Sequence, residues 1–431
     1  MSEPHTVESP RQPTWAPAWA PAEGAARARA LFVDRFGHEP AGVWSAPGRV
    51  NLIGEHTDYN GGLCLPTALP HRTYVALSVS DDDRVRLASA QSDGGAVWEG
   101  RADEVGPGDV TGFPAYTAGV AWALDHDGVL PRVPGFDAAV DACVPFGSGL
   151  SSSASLSTAV AVALDDAAGD GVGATDAGRV RLVEACVRAE NDVAGAPTGG
   201  LDQSAALRSA EGHALLLDFR PGLSPADSAR RVPFDLKAAG LELLVIDTRA
   251  PHTNADGQYA RRRATCEAAA ATLGVQTLRD VSPDGLDAAL TILSDDVARR
   301  RVRHVVTEVA RVERFVALLE SPEGLAARAN DLGDLFVASH RSLRDDYEVS
   351  CPELDVAVET ALAAGALGAR MTGGGFGGSA IAIVPAGTED DVAGAVVRAF
   401  AEHGFAEPQF LTAEPSGPAH REPQGSGTSA S

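Results

Sequence analysis

The spacing of apolar and polar positions predicts a chain of mixed helices and strands. Residues 72–80 (RTYVALSVS) alternate apolar and polar and read as a strand; DDDRVRLAS follows a charged turn, so a hairpin of the two is expected. LELLVIDT, 241–248, has an apolar run at 243–246 and reads as a buried strand. Helical spacing runs through 154–168 (ASLSTAVAVALDDAA), 180–193 (VRLVEACVRAENDV) and 258–274 (QYARRRATCEAAAATLG), the last stopped by Gly274. The stretch 295–321 is one long helix or two, and 366–385 (ALGARMTGGGFGGSAIAIVP) is a strand, a glycine turn and a second strand. This mixture predicts an α+β fold in two lobes meeting near 215–240: an N-terminal lobe over 26–225 and a C-terminal lobe over 226–414. Residues 1–25, rich in Pro and Ala, read as a flexible arm. Residues 415–431, rich in Gly, Ser and Pro, read as a disordered tail.

Composition removes several function classes. The 431 residues carry 59 Asp plus Glu against 35 Lys plus Arg, a formal net charge of −24. Such a balance argues against nucleic acid or an anionic membrane surface as the main partner. Lys237 is the single lysine, and PFDLKAAG provides neither the Gly-Lys-Ser/Thr of a Walker A loop nor the strand lysine of a protein kinase. Any phosphate is therefore held by backbone dipoles, a metal or a few placed arginines. The five cysteines are scattered and never form CxxC, which argues against a disulfide framework or a cysteine zinc site and for a reducing cytoplasm. No apolar run reaches the roughly 18 residues of a membrane span. The N-terminus lacks the basic-then-apolar pattern of a signal peptide.

Three motifs carry chemistry. Gly48–Asn60, GRVNLIGEHTDYN, crowds Glu55, His56, Asp58, Tyr59 and Asn60 between glycines. As a loop it offers the closely spaced donors and acceptors that a polyhydroxylated ligand needs; a metal site or a plain polar turn are the alternatives. Pro145–Ser155, PFGSGLSSSAS, runs into the 154–168 helix, whose free N–H groups and dipole aim at the loop. It is an anion cradle without a lysine, or a Ser-capped helix after a turn. Gly373–Ser379, GGGFGGS, has five glycines in seven positions. Either something approaches the backbone closely, or the turn is a tight hairpin corner.

In this order, the three motifs resemble those of the GHMP kinase superfamily, and GRVNLIGEHTDYN resembles the signature of its galactokinase branch. The resemblance spans roughly residues 30–410. It implies a two-lobed GHMP kinase fold with the active site in the cleft between the lobes. It also implies ATP-dependent phosphorylation of the anomeric hydroxyl of α-D-galactose to galactose 1-phosphate, in galactose catabolism by the Leloir pathway. ATP is then the co-substrate and Mg2+ the metal; N-acetylgalactosamine is the nearest rival substrate. A non-catalytic sugar sensor on the same fold and a metal-dependent hydrolase are rivals of other classes. Matched residue by residue, Arg49 and Asp202 are the catalytic pair. Glu55, His56, Thr57, Asp58, Gly199 and Tyr259 contact the sugar. Gly147, Ser148, Gly149, Leu150, Ser151, Ser152 and Ser153 form the ATP loop, and Ser153 and Glu190 hold the metal. The stretch Thr198-Gly199-Gly200-Leu201-Asp202-Gln203 departs from the family's Cys-Gly-Ile-Met-Asp-Gln, and Gly200 is expected to loosen the turn before Asp202. The expected partners are galactose and ATP, with no nucleic acid and no membrane; the chain is expected to be a cytoplasmic monomer.

Overall fold

The computed structural model describes residues 12–92, 96–169, 171–196, 198–250 and 255–423. Among them the N-terminal sheet contains β2 (Gly42–Asn51), β4 (Pro66–Val79), β5 (Arg84–Ser89), β6 (Trp98–Arg101), β7 (Phe136–Ala142) and β14 (His420–Arg421). Its order is β14-β2-β4-β7-β5-β6. The C-terminal sheet contains β1 (Thr14–Trp15), β10 (Leu241–Asp247), β11 (Gly368–Thr372), β12 (Ser379–Pro385) and β13 (Gln409–Thr412), in the order β1-β13-β10-β12-β11. A small third sheet joins β3 (Leu63–Cys64), β8 (His213–Asp218) and β9 (Ala229–Pro233). The helices are α1 (Pro21–Phe36), α2 (Phe113–His126), α3 (Ser152–Ala168), α4 (Asp176–Arg188), α5 (Leu201–Arg208), α6 (Ala255–Leu273), α7 (Leu286–Ile292), α8 (Asp296–Leu319), α9 (Leu325–Ser342), α10 (Pro352–Ala363) and α11 (Glu389–His403). None is long and apolar enough to cross a membrane.

The strong periodicities become the elements they predict. The 295–321 stretch is one helix, α8, whose N-terminus is capped by the Asp295 carboxylate accepting from the N–H groups of Val297 and Ala298. The helix read over 180–193 is α4, which continues as a π turn over Ala189–Val193. The expected hairpin of 72–80 with 81–89 does not form. β7 is buried along its whole length and lies between the two strands, antiparallel to β4 and parallel to β5. A strand covered on both faces needs a ladder on each edge, and that demand overrides the short turn.

Both chain ends depart from expectation. Thr14 and Trp15 pair with Gln409 and Phe410, the Trp15 indole donates to Asp390 at 3.0 Å, and α1 begins at Pro21. Over residues 12–25 the arm is therefore a built part of the fold, held by aromatic burial that a Pro/Ala-rich composition conceals. At the other end His420 and Arg421 pair with Ser45 and Trp44. The buried guanidinium of Arg72 donates to the carbonyls of Gly417 and Pro418, so 415–423 is ordered too; the rest of both expected segments lies outside the described residues. β8 and β9 pair across the expected division at 226. An apolar cluster of Val50, Leu52, Leu243, Phe315, Phe336 and Ile381 joins the lobes across their seam.

Candidate functional site

β2 delivers the first motif to the seam. Its register shifts between Pro47 and Arg49, a bulge that re-aims the strand end. Arg49 then lines a cavity of about 190 Å3 together with Glu55, His56, Asp58, Asp202 and Tyr259. Arg49 Nε donates to Asp202 Oδ1 at 2.9 Å, and Nη1 donates to the carbonyl of Gly149 at 2.7 Å. The Ser151 hydroxyl donates to Asp202 Oδ2. Asp202 stands in the first turn of α5, which starts after Gly200 at φ 89°. Gly200 supplies a left-handed start to the helix, so the turn is defined where a loosened one was expected.

The sugar-loop residues divide. Glu55 is buried and receives Arg370 on Oε2 and the Gly373 N–H on Oε1 at 3.2 Å. Burial outweighs the arginine and raises its pKa. His56, at φ 62°, has Nδ1 within 3.0 Å of the Tyr59 hydroxyl and Nε2 within 3.2 Å of the Gly374 carbonyl. Burial lowers its pKa to about 3, so the ring is neutral at pH 7. Burial, with the charge of Asp202 added, raises Asp58 to about 6. Gly199 passes so close to Asp58 that a Cβ there would meet Oδ2 at 2.5 Å. Thr57 is turned inward: its hydroxyl bonds the carbonyls of Gly54 and Leu63, at 2.9 and 2.6 Å, and holds the loop's shape.

Gly147, Gly149 and Ser151 all have positive φ, so the second motif curls its N–H groups around the start of α3. Ser148 and Leu150 are buried and shape the loop, and Ser379 of the third motif donates to the Ser148 carbonyl at 2.7 Å. Ser152 and Ser153 face a second, more apolar cavity of about 380 Å3, walled by Phe113, Tyr116 and Phe146, the last 60% exposed. Glu190, on the π turn, accepts from the Ser153 hydroxyl at 3.0 Å and from Gln203 at 2.6 Å. Burial, with Asp202's charge, raises Glu190 to about 7. A buried carboxylate whose direct partners are neutral, beside a hydroxyl and a phosphate-type loop, fits a hard divalent cation.

Residues that the sequence did not single out hold this arrangement. Arg370 on β11 is 0% exposed; it grips Glu55 and donates to the Leu52 carbonyl at 2.6 Å. Glu308 on α8 lies under the sugar loop, accepting the Gly54 N–H at 3.0 Å and the Ser339 hydroxyl at 2.6 Å. Burial pushes Glu308 up, but Arg311, His304 and Arg370 outweigh it and bring the pKa to about 2. For Glu308 the sequence signal is a charge on a helix face that also carries Arg301 and His304, which is easily read as a solvated position.

Family models match three segments: the galactokinase galactose-binding signature over 30–79, the GHMP kinase N-terminal domain over 115–210 and the GHMP kinase C-terminal domain over 317–405. A galactokinase of Streptomyces coelicolor is 50% identical over 391 residues, 90% of this chain and 96% of that protein. Among solved structures, Lactococcus lactis galactokinase complexed with galactose superposes with a TM-score of 0.83 at 32% identity, covering 91% of this chain and 98% of the other. Mevalonate kinase of Methanococcus jannaschii superposes with a TM-score of 0.57 at 14% identity, covering 86% and 98%, a likeness of fold.

Proposed function

The chain belongs to the galactokinase family of GHMP kinases, an ATP-dependent sugar kinase that converts galactose to galactose 1-phosphate, and we propose how its own residues divide that work. Asp202 faces the anomeric hydroxyl. An aspartate is too weak a base to remove that proton beforehand, so it accepts the proton late, as the loose phosphoryl transition state acidifies the hydroxyl. Arg49 anchors Asp202 and, tied to Gly149, keeps the base in register with the phosphate loop. Arg49 also stabilises charge on the transferring phosphoryl oxygens. Glu55, Asp58, Gly199 and Tyr259 take the sugar hydroxyls; neutral His56 orients Tyr59 and supports the loop. The backbone of 147–153 cradles the phosphates, and the apolar cavity beyond Ser153 takes the nucleotide base. Ser153 and Glu190 hold Mg2+, which when bound neutralises phosphate charge.

The observation that carries this reading is Asp202, gripped on one oxygen by Arg49 and on the other by Ser151, in a cavity lined with carboxylates. The test is ADP release across a panel of galactose, N-acetylgalactosamine, homoserine and mevalonate. Galactose is expected to give the highest kcat/KM; release with homoserine or mevalonate but none with galactose would overturn the reading.

A further inference from the structure

Asn51, the last residue of β2, lines the same cavity and is 2% exposed. Its main chain is fully engaged: the N–H donates to Thr372 Oγ1 at 3.1 Å, and the carbonyl accepts from Thr372 Oγ1 at 2.9 Å and from Arg370 at 3.3 Å. Its side chain is not engaged. Among the described residues neither Nδ2 nor Oδ1 has a hydrogen-bond partner, although both are buried. Native proteins pair most buried polar atoms, and an amide unpaired at both ends destabilises the fold that keeps it. Its neighbours are already committed: Arg49 to Asp202 and Gly149, His56 to Tyr59 and Gly374, Glu55 to Arg370 and Gly373.

We propose that Asn51 is a further sugar-binding residue, its amide spanning two adjacent hydroxyls of galactose. One hydroxyl donates to Oδ1 while the oxygen of its neighbour accepts from Nδ2. A vicinal diol satisfies both orphaned atoms, whereas phosphate oxygens only accept and would leave Oδ1 facing negative charge. The rest of the wall sharpens the choice. Glu55, Asp58 and Asp202 are acceptors when ionised, so they consume hydroxyl protons and leave hydroxyl oxygens in need of donors. Arg49 and Asn51 leave the same face of β2, two residues and so about 6.6 Å apart. The amide thus stands beside the arginine that holds Asp202, in the same cavity. This inference rests on the galactokinase reading.

The test uses Asn51→Leu, which is nearly isosteric, and Asn51→Ala, with galactose and a non-hydrolysable ATP analogue titrated calorimetrically and ligand-free protein melted. Galactose affinity is expected to fall 10–100-fold in both variants, with nucleotide affinity within twofold of wild type. Ligand-free Asn51→Leu should melt at or above wild type, since it removes an unpaired buried amide. In a monodeoxygalactose series, the penalty should vanish for the sugars lacking a hydroxyl that Asn51 touches. Galactose affinity within twofold of wild type, a lost nucleotide affinity with sugar affinity kept, or equal penalties across all the deoxy sugars would each overturn the proposal. Wild-type turnover on the sugar panel judges the parent reading separately. Should the wild type prefer another sugar, that reading fails alone and the variants are compared on the preferred sugar.

Discussion

Asp202 meets its two partners through different oxygens, and that division predicts what its replacement does. Asp202→Asn keeps the shape and can still face Arg49, but it cannot accept a proton. Turnover should fall by roughly 10²–10⁴ while galactose affinity stays within a few fold, read by calorimetry beside steady-state rates. Asp58 behaves differently because burial raises it to about 6. On the proposed reading its ionised form accepts sugar hydroxyls, so galactose affinity should weaken as the pH drops below about 6, and Asp58→Asn should flatten that dependence. Asp58→Ala should weaken galactose binding at pH 7.5 by about 1–3 kcal/mol. Thr57→Val should instead lower stability by about 1–2 kcal/mol through its lost bonds to Gly54 and Leu63, with a smaller effect on sugar affinity than Asp58→Ala. Thr57 shows that residues adjacent in a signature share a loop but not a direction. Glu55 and Asp58 stood out in the sequence because polar residues crowded between glycines mark a loop, and both line the cavity. Arg370 did not, because its buried ion partner Glu55 lies far away in the sequence and leaves no local pattern; Glu308 did not, because its tie to the Gly54 N–H is just as remote.

At the scale of elements, the π turn after α4 matters most. By adding a residue to one turn it places Glu190 against Ser153 at the start of α3. Glu190→Gln should raise the magnesium concentration for half-maximal activity more than Ser153→Ala does, since only the former removes charge; a magnesium titration of each variant decides it. Sequence periodicity found the helices because 3.6-residue spacing is a local property. It missed the β4–β7–β5 arrangement because strand partners are chosen by burial across the whole sheet. The third glycine motif also looked like a turn and is a junction. Gly373 and Gly374 bind the sugar loop while Ser379 binds the phosphate loop.

Over the whole molecule, the shared apolar seam and the exchanged chain ends bind the two lobes into one unit. Calorimetric unfolding should therefore show one transition, and removal of residues 416–431 should lower its midpoint sharply by stranding the buried Arg72 charge, at a cost of about 3–5 kcal/mol. Acid should also act on the whole fold. His304, wedged between Ser342 and the Glu55 carbonyl, is lowered by burial to about 4, so the unfolded chain takes up its proton first. The stability from His304 is complete above about pH 6.5 and is lost as the pH falls toward 4. Glu190 and Asp58, raised by burial, act in the opposite sense. The comparison with His304→Gln, melted from pH 7 to 4.5, isolates the histidine: wild type should lose its advantage as the pH falls.

The exchanged ends bear on how the protein is born. Synthesis makes β2 and Arg72 long before His420 and Arg421, the strand that closes the N-terminal sheet. Until then the outer edge of β2 has no neighbour and Arg72 has no carbonyls to hold, however long ago both emerged. The nascent N-terminal lobe waits, unfinished, for a strand encoded far downstream of it. A stalled or truncated product would carry an open strand edge, the feature most prone to joining another chain.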